Sequence, residues 1–106
     1  MRMIKNYLPA GQYFAEETKK IQIVLHHTVS AGTTNAVRDW FAQTAERVAT
    51  AFVIGKDGSV LELFDPKHWA YHIGKGSTSQ HNKQSIGIEI VNEGLLTKTD
   101  NGLMLS

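Results

Sequence analysis

Residues 21–30 read IQIVLHHTVS, and no other stretch limits the fold so tightly. Ile23, Val24 and Leu25 form an apolar run that climbs into His26, His27 and Thr28 and breaks at Ser30, Ala31 and Gly32. That is the pattern of a buried strand with polar groups at its carboxyl end, where a rigid scaffold hands chemistry to a loop. Successive strand side chains point to opposite faces, so one histidine can face a site while the other is held in packing. Imidazole is the commonest metal-ligating side chain and titrates near neutrality. Two histidines alone define no site, and a buried pair satisfied by backbone carbonyls fits this stretch equally well.

The remaining residues supply one domain around that strand. A chain of 106 residues suits a single domain, 1–106, with residues 1–20 as an irregular lead-in punctuated by Pro9 and Gly11. Acids and bases are interspersed at a net charge of +1, so there is no phosphate-tracking surface and nucleic acid is set aside as a partner. The chain has no cysteine, hence no disulfide framework and no thiolate ligand. No apolar run reaches the length of a membrane span, and the start, MRMIKNYLPAGQYF, has no continuous apolar core of a signal peptide.

After the break at Gly32, Thr33 or Thr34 can cap a helix running to about Arg47, with Val37, Trp40, Phe41 and Ala45 at helical spacing and Arg38, Asp39, Gln43 and Glu46 outward. Trp40 and Phe41 read as core rather than as a ligand platform. Residues 49–55 and 59–64 are strands joined across Asp57-Gly58, a hairpin signal. In the second of them, VLELF, Glu62 reads as solvent-facing. Residues 67–84 form a long loop carrying His68, Trp69, Tyr71, His72 and His81, a content that argues for function. The fourth strand is SIGIEIVN, 85–92, with Ile86, Ile88 and Ile90 on the expected core face and Ser85, Gly87, Glu89 and Val91 on the other. A carboxylate amid so apolar a strand is costly to bury unless paired or protonated, which makes Glu89 the most informative acid; a structural carboxylate held by backbone or a lysine is the alternative. One more turn signal, Asp100-Asn101-Gly102, follows near the end. The expected architecture is α/β, a mixed central sheet of at least four strands flanked by helices.

Four pieces agree in order and spacing: IVLHHT at 23–28, FVIGKDGSV at 52–60, YHIGKG at 71–76 and NKQSIGIEI at 82–90. Together they resemble the zinc-dependent N-acetylmuramoyl-L-alanine amidases, the type-2 amidase and peptidoglycan-recognition fold of bacterial and prophage endolysins, autolysins and recycling enzymes. The resemblance implies a hydrolase that cleaves the amide between N-acetylmuramic acid and L-alanine, with peptidoglycan or muropeptide as partner. It implies that His26, first of the HHT pair, is a zinc ligand. It implies that His72 lines the groove and contacts substrate, with Tyr71 where the family has tryptophan. Glu89 matches the glutamate that handles the proton of the attacking water. Thr50 stands at a groove position where another branch has a catalytic tyrosine, and Ala51 where histidine is frequent, so the sequence looks like the glutamate-using branch.

The same resemblance implies a domain incomplete at its carboxyl end, because the family's other two zinc ligands lie in a later segment than Ser106. His68, His72 and His81 do not match those positions. A second reading is therefore a non-catalytic peptidoglycan-binding module, or an inactive fragment lacking the full ligand set. A third makes the histidines mere core in an assembly protein. An incomplete sheet would also leave apolar surface uncovered, which leads to the expectation of a homo-oligomer. The setting is open between the cytoplasm and release to the cell wall.

Overall fold

Three parallel strands hold the centre of the structure, a computed structural model that describes residues 3–27, 33–43, 47–73 and 79–91. They are β2 (Gln22–His27), β3 (Phe52–Ile54) and β5 (Ser85–Ile90), and β5 lies between the other two. β4 (Val60–Glu62) returns antiparallel to β3, and β1 (Met3–Lys5) adds a parallel edge, giving five strands in the order β1-β4-β3-β5-β2. The expected lead-in thus contributes a strand of its own. The hairpin turns at Gly58, whose φ of 85° favours glycine, while the Asp57 carboxylate accepts from the Ser59 amide and hydroxyl. Two short helices complete the described architecture, α1 (Thr34–Gln43) and α2 (Ser79–Lys83), the latter inside the expected long loop.

α1 begins where Thr33 Oγ1 accepts from the Ala36 amide at 3.1 Å, a side-chain cap. It buries a narrow stripe, Val37 and Phe41, in one cluster with Ala49, Ala51, Val53, Leu61 and Leu63. Trp40 is 58% exposed, against the expectation of core. At 100° per residue Val37 and Phe41 lie 40° apart, while Trp40 falls 60° to the side, beyond what the sheet covers.

Two further expectations are overturned by which face of the sheet is covered. Ser85, Gly87 and Val91 are buried, whereas Ile86, Ile88 and Ile90 are only partly so. The core face of β5 is therefore the one that carries Glu89, continuous with buried Val53 and Leu61 through the registers Glu89↔Val53 and Val53↔Leu61. Glu62 is 7% exposed, not solvent-facing, because β4 is buried on both faces and alternation there does not mark solvent. Tyr7 covers it and donates its hydroxyl to Glu62 Oε2 at 2.5 Å.

Thr28, Val29, Ala45, Glu46, residues 74–78 and the Asp100-Asn101-Gly102 turn lie outside the described residues. Among the described residues no helix is long and apolar enough to cross a membrane.

Candidate active site

Parallel pairing brings the carboxyl ends of β2 and β5 to one edge, with His26 beside Glu89 and His27 beside Ile90. Adjacent strands lie roughly 4.8 Å apart, and laterally paired residues share a face. His26 and Glu89 therefore stand as neighbours on the core face, each half-buried. Burial raises the Glu89 carboxyl above its usual range, with the His27 charge pulling the other way. A carboxylate so shifted is a better proton acceptor than one in water. Burial lowers the His26 imidazole, and His27 lowers it further.

His72 arrives from the segment after β4. Its Nδ1 lies 2.9 Å from His26 Nε2, the rings nearly perpendicular at 82°. Its Nε2 lies 2.8 Å from Ser85 Oγ, and the Ser85 hydroxyl in turn reaches the His81 carbonyl at 2.6 Å. Burial above all, then His26 and Lys20, push the His72 ring down to about 4, so it is neutral at physiological pH. Asn82, fully buried, accepts from the backbone amides of His72 and Ile73 at 2.9 Å each. A Cβ on Gly87 would sit 2.8 Å from His72 Cγ, so the ring lies flush on the backbone of β5. Lys20 ties the neighbourhood together from the start of β2, donating to the His68 and Lys83 carbonyls at 2.8 Å each; burial lowers it to about 8.

The structure thus puts His26 within hydrogen-bond distance of His72 and sets Glu89 beside His26 in strand register, which places three of the five residues singled out by sequence in one neighbourhood. Thr50 is buried, with its hydroxyl donated to the Phe52 carbonyl at 2.8 Å, so it is turned inward. Tyr71 sits edge-on to Phe14 and Trp69 in an aromatic cluster that Arg47 caps over the Phe14 ring. Sequence reasoning missed Ser85, Asn82 and Gly87. Their signal was the NKQSIG stretch itself, where a buried amide precedes a strand whose first and third residues are small and buried.

Among the described residues no three His, Cys, Asp or Glu side chains converge into a group able to hold a metal. His26 alone does not make a zinc centre, and the described donor set does not fit the ion that the resemblance implies.

Fold and site define a mixed α/β domain with an imidazole–carboxylate pair at the carboxyl edge of its parallel strands. The family described as N-acetylmuramoyl-L-alanine amidase (Amidase_2) matches residues 17–102, and the chain belongs to it. Similar folds occur in the catalytic domain of XlyA, with a TM-score of 0.72 at 21% identity over 89% of this chain and 63% of that one. PlyL is similar at 0.74 and 17%, over 87% of this chain and 58% of PlyL. A mutant endolysin from Bacillus subtilis scores 0.66 at 22%, over 89% and 63%. The chain thus spans less than two thirds of the structures it matches. No curated protein matches it.

Proposed function

We propose that this chain carries the hydrolytic core of a peptidoglycan amidase that splits the bond between N-acetylmuramic acid and L-alanine. The observation that carries the reading is Glu89, half-buried, raised by that burial, and registered beside His26 in a chain of the amidase family. Glu89 takes a proton from the attacking water as its oxygen bonds to the amide carbonyl carbon. The carbon–nitrogen bond then breaks, and the proton passes to the departing amine of L-alanine, leaving a carboxylate on the muramyl lactyl group. The zinc of the family would need donors besides His26 that the described residues do not bring together, so no step is assigned to it.

Glu89→Gln keeps size and hydrogen-bonding reach but cannot accept the proton. Muropeptide turnover should fall by roughly 10²–10⁴-fold while binding to insoluble peptidoglycan is kept. An undiminished rate would make Glu89 structural and sink the assignment. That the described residues bring no three metal donors together favours one second reading, a peptidoglycan-binding module without turnover. A parent chain that binds peptidoglycan but releases no new amino termini would establish it.

A further inference from the structure

The hydrogen bonds around His72 have a direction, and it can be read from one end. The His81 carbonyl can only accept, so the single Ser85 proton, 2.6 Å away, is donated to it. Ser85 Oγ then has only lone pairs for His72 Nε2 at 2.8 Å, which must carry the hydrogen. A neutral imidazole has one N–H, so His72 Nδ1 is an acceptor, and the proton in its 2.9 Å bond to His26 comes from His26 Nε2. The order is His26 Nε2–H to His72 Nδ1, His72 Nε2–H to Ser85 Oγ, Ser85 O–H to His81 carbonyl. We propose that His72 and Ser85 are positioning residues: they hold His26 as its Nε2–H tautomer and reserve Nδ1 as the lone pair the site presents.

The surroundings suit a fixed relay rather than a groove side chain. Both ring nitrogens of His72 are engaged by the protein itself. Gly87 lets the ring lie against β5, where any Cβ would collide with it. Asn82 pins the His72 backbone from the other side through two amides. Ser85 is buried, so water does not compete for its proton. The chain ends on a backbone carbonyl of α2, which cannot reverse its role, and so the tautomer is fixed from the interior outward. Elsewhere the same logic is common: a histidine with one nitrogen at work has its other N–H held by an acceptor. Here that acceptor is a second histidine, whereas the resemblance alone implies a substrate contact at His72.

This assignment deepens the amidase reading by naming what orients His26, and it is tested without substrate. Long-range proton–nitrogen correlation spectra of the ¹⁵N-labelled chain at neutral pH report which nitrogen of each ring carries the proton. The expected result is a single Nε2–H tautomer at both His26 and His72. Ser85→Ala, which removes the acceptor that the described residues give His72 Nε2, should abolish the single-tautomer pattern at both rings. An Nδ1–H tautomer at His26 in the parent, or an unchanged pattern at both rings in a folded Ser85→Ala chain, overturns the proposal. If the tautomers are as stated but muropeptide is not cleaved, the relay stands and the amidase reading falls.

Discussion

Glu62 and Lys20 are charged side chains drawn into the protein, and each is held by a different device. Glu62 sits mid-strand in β4 with the Tyr7 hydroxyl as its donor, and that bond is the main reason Tyr7 is pushed up to about 12. Tyr7→Phe takes away the donor and keeps the ring. A buried acceptor left unmade costs about 1–3 kcal/mol, so the urea midpoint should fall accordingly; an unchanged midpoint would mean that the contact is idle. Lys20 spends its ammonium on two carbonyls, yet burial holds it at about 8 against an ordinary 10.5. A lysine lowered in the folded state binds fewer protons than the unfolded chain between those two values, so stability should rise as pH climbs through that window. Below about 8 the cost of burying the charge is fully present. Lys20→Met should remove this slope, and equal slopes for parent and variant in chemical denaturation at pH 8–10.5 would refute the linkage.

At the scale of elements, β5 does two jobs with one alternation. Ser85, Gly87 and Glu89 share the face that binds His72 and flanks His26, while Ile86, Ile88 and Ile90 share the other. Gly87→Ala places a methyl carbon 2.8–2.9 Å from the His72 ring and forces it off the strand. Overpacking of this kind costs about 1–3 kcal/mol. The expected outcome is a lower melting temperature together with a changed His26 ring signal. A variant as stable as the parent with both histidine signals unmoved would show that the close approach is illusory. β2 to β5 and the hairpin at Asp57-Gly58 were legible because each rests on a local pattern, and Glu89 stood out as an acid out of place. That it lies beside His26 comes from the pairing of β2 with β5, strands distant in sequence, which no local pattern encodes. The core face of β5 was not legible, because apolarity names a strand's favoured face only when something covers it. β1 was illegible because MIK is too short to carry a period. The relay through Ser85 joins residues on separate elements, and no spacing in the sequence encodes a hydrogen bond between them.

For the whole molecule the telling feature is an edge. β2 pairs with β5 on one side and ends the sheet on the other among the described residues. On the face away from His26 it presents Ile23 and Leu25, 63% and 56% exposed, in line with Ile21 just before the strand. Ile21, Ile23, Gln22, Lys20 and Ile86 also line an open hollow of about 450 Å³. An unpaired strand edge beside an apolar ridge is the arrangement that recruits another strand, and a second copy of β2 is the partner that complements it by symmetry. Two copies pairing antiparallel along this edge would set their ridges side by side on one face, with up to about 1.5–3 kcal/mol for each aliphatic side chain that becomes fully covered. Several such side chains match the roughly 4–15 kcal/mol that association costs in lost freedom. We therefore expect the 106-residue chain to dimerise. A lysine at Ile23 or Leu25 puts a charge in that contact without touching the His26 face. Sedimentation should show a dimer for the parent and a monomer for Leu25→Lys, both with the same far-ultraviolet dichroism. A parent that stays monomeric at tens of micromolar would show that the ridge is tolerated in water and that β2 seeks no partner.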